Sequence, residues 1–203
     1  MKKQPELTIQ TKENLMEAFW QIYCNKRIEK VTVKEITAKA GYNRSTFYEY
    51  FTDVYDVLEH IENSVLPSHQ GLIPHKPTDI STTSLPIDAL TKIYEKNKKY
   101  YVVLFGDNGD PSFQTKFKNY IKTVMLKHLD EEGIVKNFEI DFALEYTLSA
   151  MIGVLTYWFR LDTPPPSNRL FELMSELIHN GLTRTFTAGI GAGHKGLKAK
   201  HPA

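Results

Sequence analysis

At 203 residues, with 41% hydrophobic and 24% charged residues and a net charge of +1, the chain has the composition of an ordinary globular protein. No apolar run approaches the roughly 20 residues that cross a bilayer, which excludes a membrane span, and the polar stretch after Lys2 and Lys3 excludes a secretory leader, so the expected location is cytoplasmic. The single cysteine, Cys24, excludes an intramolecular disulfide and a thiolate metal cluster; set among apolar helix positions, it reads as an inert buried thiol.

The charge is unevenly placed. Residues 1–48 hold nine basic and five acidic groups, and residues 49–66 hold five acids and no lysine or arginine. Such a layout either turns a positive end toward phosphate or is a solvated surface.

In chain order, the helical period dominates and no alternating stretch is long enough to argue for a sheet. Leu15, Ala18, Phe19, Ile22 and Tyr23 form the inner stripe of a first helix over about Thr11 to Asn25. Ile36 and Ala40 mark a short second helix, and Phe47 and Phe51 one turn of a third. Val54, Val57, Leu58, Ile61 and Val65 make the stripe of a fourth, which Pro67 stops. The stretch 67–86, with its prolines and Ser/Thr cluster, reads as an irregular linker. Further helices are predicted over Leu90 to Leu104, Ser112 to Leu129, Ile140 to Phe159 and Asn168 to Thr187; the third of these is apolar nearly all round. The Gly-rich tail 188–203 has little to bury and is expected to be disordered. The fold class is therefore all-α: an N-terminal helix-turn-helix domain over 1–53, then a helical bundle over 54–187.

Residues Thr32 to Phe51, TVKEITAKAGYNRSTFYEYF, carry the functional signal. Thr32 is the expected N-cap of the second helix, with Glu35 completing a capping box. Ile36, Ala40, Phe47 and Phe51 face inward, and Gly41 sits where the chain reverses, a position that favours positive φ. Asn43 caps the third helix. Arg44, Ser45, Thr46, Tyr48 and Tyr50 then surround the start and outer face of a helix short enough for a major groove, with backbone N–H groups toward phosphate.

Together with the apolar stripe of the first helix, Thr32-Val33 with Ile36, Ala40-Gly41, Thr46-Phe47-Tyr48, Phe51 and Leu58, this string resembles the TetR family of bacterial transcriptional regulators. The resemblance implies that Lys34 reaches DNA from the second helix, that Arg44 and Ser45 read base edges, and that Thr32, Thr46, Tyr48 and Tyr50 contact phosphates. It also implies a homodimer on a palindromic double-stranded DNA operator and a C-terminal domain that commonly binds a small effector. The sequence departs from the family in three places: Val54 where a lysine is usual, no glycine in the loop Lys26 to Lys30, and Thr37 for an alanine.

The two C-terminal helices are the candidate dimer surface, with Gly153 permitting close approach, although most of their apolar residues read equally as core. Phe105, Phe113, Phe117, Tyr120, Met125, Tyr146, Met151, Tyr157 and Trp158 either line a pocket for a hydrophobic or aromatic effector or fill the core. No cofactor or metal is expected: the seven histidines show no ligand spacing and the GDNGDP turn lacks a calcium loop's ligands. No nucleophile elbow is present, so the chain does not read as an enzyme; a helical enzyme or interaction module imitating a helix-turn-helix is the alternative.

Overall fold

The computed structural model describes residues 5–67 and 87–194, with side chains for 8–67 and 90–181. Among the described residues every regular element is helical. In chain order these are α1 (Pro5–Tyr23), a 3₁₀ turn (Ile28–Lys30), α2 (Val33–Ala40), α3 (Arg44–Tyr48), α4 (Val54–Val65), α5 (Ile87–Leu104), α6 (Pro111–Glu131), α7 (Phe138–Phe159) and α8 (Ser167–His194).

The N-terminal helices follow from their caps and apolar positions. Leu15, Phe19 and Tyr23 of α1 are fully buried and meet Ile36 of α2 and Phe47 and Phe51 at α3 in one core. Thr32 and Glu35 close the expected capping box: the Thr32 N–H donates to Glu35 Oε2 at 3.0 Å and the Glu35 N–H to Thr32 Oγ1 at 3.3 Å. Gly41 ends α2 at φ 74°, a left-handed position that a Cβ would strain.

Two of the sequence's departures have local explanations. The loop after α1 needs no glycine because it winds into the 3₁₀ turn with Ile28 buried, and its flanking residues keep negative φ. Thr37 is buried, and its hydroxyl donates to the Val33 carbonyl at 2.9 Å, so the polar atom enters the core satisfied.

The core does not stop at the helix-turn-helix. It continues through α4 into Tyr94, Tyr101, Leu104 and Phe105 of the α5 region, Phe113 of α6, Trp158 of α7, and Leu170 and Met174 of α8. Trp20 of α1 packs edge-on against Tyr100 of α5, with ring centroids 4.6 Å apart. Polar contacts from the second half of the chain hold α4 and the residues just after it. The Tyr101 hydroxyl donates to the Val65 carbonyl at 2.5 Å, the Tyr120 hydroxyl donates to the Pro67 carbonyl at 2.7 Å, and Lys116 Nζ donates to Glu62 Oε2 at 3.1 Å. Glu62 is almost wholly buried, which pushes its carboxyl above the ordinary range, and Lys116 opposes that shift.

The turn between α5 and α6 is tight enough to demand glycine at 109, where a Cβ would collide with the Leu104 carbonyl. Asp107 of this GDNGDP stretch pairs with Arg160 Nε at 3.1 Å, and Asp110 caps α6 by accepting from the Ser112 N–H. α8 is broken at Gly181 (φ 67°, ψ 171°), and its backbone is helical to His194, beyond the expected end at Thr187. Of the linker 67–86 only Pro67 lies inside the described residues, and residues 195–203 of the tail lie outside them.

Candidate nucleic-acid interface

α3 is only five residues long, and its orientation comes from its neighbours. Phe47 is fully buried and meets Phe51 at 5.6 Å between ring centroids, so the opposite side of the helix must face outward. Ser45 and Glu49 lie on that side, and Arg44 at the helix start and Tyr48 beside them are exposed as well, Tyr48 at 59%. Thr46 and Tyr50 flank this face and are half-buried.

Asn43 caps α3 as expected, and it does more. Its Oδ1 accepts from the Thr46 N–H at 2.8 Å, the Thr46 hydroxyl at 2.9 Å and the Ser45 hydroxyl at 2.7 Å. The two hydroxyl protons are thus turned inward to the cap, and the Asn43 amide is left as the donor of that group. A phosphate oxygen can only accept, so Ser45 and Thr46 must rotate away from Asn43 before donating to DNA. Thr32 is similarly engaged, its hydroxyl donating to Glu35 Oε2 at 2.8 Å, whereas Lys34 at the start of α2 is exposed. The eight predicted DNA-contacting residues therefore lie along α2's first turn and around α3. Of the eight, Lys34, Arg44, Tyr48, Tyr50 and the Asn43 amide take no part in these two caps.

Tyr42, in the turn, was not singled out by sequence. Its hydroxyl accepts from Asn14 Nδ2 at 3.0 Å, and Gln10 Nε2 donates to Asn14 Oδ1 at 3.0 Å, tying the turn to α1. The contact joins residues 28 positions apart, which no local pattern reveals.

The start of α4 replaces a cation with carboxylates. Val54 is half-buried against the core. Asp53 accepts from the Tyr55 and Asp56 N–H groups at 2.8 and 2.9 Å, and Asp56 accepts from the Thr52 N–H at 2.8 Å. The Thr52 N–H is the main cause holding the Asp56 carboxyl below its ordinary range. The end of α4 nearest α3 is closed by its own acids and offers phosphate no lysine.

The nine predicted effector residues do not form one wall. Phe105, Phe113 and Phe117 pack on one another at 5.3 to 5.9 Å, and Phe105 stacks on Phe159 at 5.4 Å, which makes them core. Met151 packs half-buried against that core, and Tyr120 is spent on Pro67. Met125, Tyr146 and Tyr157 are exposed. Only Trp158 borders a groove, of about 500 Å³, formed with Tyr94, Val102, Phe159 and Pro164 to Pro166, and with Glu95 and Lys98 beside them. Trp158 Nε1 donates to the Pro165 carbonyl at 2.8 Å, fixing the proline segment across the ring.

Among the described residues no group of three or more His, Cys, Asp or Glu side chains could hold a metal, and no helix is long and apolar enough to cross a membrane.

Residues 84–180 match the family model of the TetR transcriptional regulator C-terminal region. This match assigns the second half of the chain to that C-terminal region, and a helix-turn-helix precedes it. Solved structures of the same fold include a TetR transcriptional regulator from Streptococcus agalactiae (TM-score 0.62, 20% identity, covering 85% of this chain and 96% of that one). The fatty acid degradation regulator FadR from Bacillus halodurans (TM-score 0.58, 17% identity, 90% and 98%) is another. A third is FadR from Bacillus subtilis in complex with stearoyl-CoA (TM-score 0.54, 15% identity, 84% and 98%). A comparison with curated proteins finds no match.

The TetR-type helix-turn-helix rests on a capping box with a titratable member. Glu35 is held below its ordinary pKa of 4.5, first by the Lys26 ammonium and then by Thr32. A lowered folded-state pKa stabilises the fold above the unfolded value and loses that contribution as pH falls through the folded one. Protection of the Thr32 amide against hydrogen exchange is therefore expected to be flat above about pH 5 and to fall below pH 4.5 in wild type. In Glu35→Gln it is expected to be lower at neutral pH and to change little on acidification. Equal acid dependence in both proteins would contradict the assignment.

Proposed function

We propose that this chain is a homodimeric TetR-family repressor of a palindromic operator, released by a small hydrophobic or aromatic effector. The observation that carries the reading is the outward face of α3, where Arg44, Ser45 and Tyr48 stand exposed on a short helix anchored through Phe47. Arg44 offers the paired donors that suit guanine N7 and O6, and Lys34, Thr32, Thr46, Tyr48 and Tyr50 supply phosphate contacts.

A dimer is supported by α7. Phe138, Phe142, Tyr146 and Tyr157 are 68%, 61%, 74% and 68% exposed, and a Cβ at Gly153 would meet nothing within 4 Å among the described residues. Phe138, Phe142 and Tyr146 recur every four residues, and an exposed aromatic stripe of this kind on an apolar helix calls for a partner surface. A second copy paired through α7 and α8 would carry two α3 helices, and a two-fold operator follows from that symmetry.

Selection from random duplex followed by band-shift at stated salt tests both parts. The expected product is an inverted repeat with half-site centres about 34–36 Å apart. Arg44→Ala should lose about 1–3 kcal/mol on the selected site and flatten preference at one base pair, whereas Tyr48→Phe should weaken all duplexes alike. No enriched repeat from a folded protein contradicts the reading.

The effector reading rests on the aromatic groove, where Tyr94, Trp158 and Phe159 give apolar walls and Lys98 a cation for an acidic ligand. Because α4 is bonded to α5 and α6 and begins directly after α3, a ligand that shifts α5 would re-aim α3 and favour a dimer unfit for the operator. Aromatic carboxylates and a long-chain acyl-CoA are the probes. One class is expected to abolish the band-shift of wild type and to leave that of Val102→Trp, which fills the groove, intact. Release of both proteins alike would place the ligand elsewhere.

A further inference from the structure

The small hydroxyls on either side of the turn between α2 and α3 donate within the protein. Thr32 donates to Glu35, Thr37 to the Val33 carbonyl, Ser45 and Thr46 to Asn43, and Thr52 to Asp56. Tyr42, in the turn itself, is arranged the other way. Its Oη accepts from Asn14 Nδ2 at 3.0 Å, Asn14 Oδ1 accepts from Gln10 Nε2 at 3.0 Å, and among the described residues nothing accepts the Tyr42 proton.

The three side chains form a one-way chain from amide to amide to phenol. Each bond polarises the next, and the proton left over is the phenolic one. A hydroxyl cannot aim its O–H at the donor it accepts from, so the Asn14 amide turns that proton away from itself. The Tyr42 ring is half-buried against the core, and the Tyr42 N–H donates to the Thr37 carbonyl at 3.0 Å, so the hydroxyl is held from the backbone as well as from α1.

The first helix of a helix-turn-helix crosses the DNA backbone and the second enters the major groove by its N-terminal residues, so the turn between them lies at the groove wall, beside phosphates. Tyr42 stands in that turn, directly before the Asn43 cap of α3, and the exposed Gln10 and Asn14 lie four apart on one face of α1. A phosphate oxygen only accepts hydrogen bonds, and this edge of the protein offers it a preset donor without charge.

We infer that the Tyr42 hydroxyl donates to a phosphate of the operator backbone, with Asn14 and Gln10 as the positioning residues that aim it. This rests on the DNA-reading role proposed above. Being neutral, the contact releases no counterion: it adds affinity and register on every duplex and leaves the salt dependence of binding unchanged.

Phosphate ethylation interference on the selected operator, with wild type and Tyr42→Phe, tests the assignment. Tyr42→Phe keeps the ring and removes the donor. It is expected to bind every duplex about two- to tenfold more weakly, with base preference and salt dependence unchanged. One phosphate in each half-site should weaken wild-type binding when ethylated and make no difference to Tyr42→Phe. A merely structural loss would weaken binding and leave the ethylation pattern intact. Asn14→Ala should cost less than Tyr42→Phe and nothing further in the Tyr42→Phe background, because it acts through the hydroxyl. Equal affinity of wild type and Tyr42→Phe, or one ethylation pattern shared by both, overturns the contact; additive losses from the two substitutions overturn the positioning role. In each of these cases the DNA-reading role still stands. A wild-type protein that selects no inverted repeat overturns both.

Discussion

The burial of Phe47 is the constraint on which the DNA-facing geometry depends. A helix of five residues is far below the length at which helices persist alone, because nucleation fixes several dihedrals before hydrogen bonds repay it. α3 exists because Phe47 and Phe51 enter the core built by Leu15, Phe19 and Ile36, while Gly41 and Asn43 set the chain's direction at its start. Once Phe47 is inside, the outward residues are determined by the helical period. Position and function are thus coupled through one aromatic ring, and loss of that ring would cost about 3–5 kcal/mol and the orientation together.

The same helix-turn-helix carries an electrostatic compromise. Basic residues of α1 to α3 are backed by acids from Glu49 onward, and the entry to α4 is capped by Asp53 and Asp56 where a phosphate-binding lysine would be expected. These acids satisfy backbone donors locally and in doing so remove a sequence-independent attraction to DNA. If the helix-turn-helix reads DNA as proposed, binding depends more on contacts made by α2 and α3, and less on general affinity for polyanions. α4 in turn belongs to both halves: its buried Glu62 is paired with Lys116 of α6 and its C-terminal carbonyl with Tyr101 of α5, so motion in the second half has a physical route to α3.

What the sequence made legible was local. The caps at Thr32 and Asn43, the reversal at Gly41 and the inward stripe are interactions over three or four residues, and residue type alone implies them. The contacts of Tyr42 with Asn14, Trp20 with Tyr100 and Glu62 with Lys116 join distant segments, and periodicity cannot pair them. The nine effector candidates share an aromatic or flexible apolar character, and that character fits core, groove and exposed stripe equally; only the fold sorts Phe105 from Tyr146.

The most direct measurement is methylation interference at guanine N7, which lies on the floor of the major groove. If the exposed face of α3 enters that groove with Arg44 on a guanine, a single N7-methylated guanine in each half-site will block wild-type binding, and Arg44→Ala will be indifferent to it. Binding that tolerates N7 methylation at every guanine of the selected site would show that α3 does not read the major groove, and the account would fail at its centre.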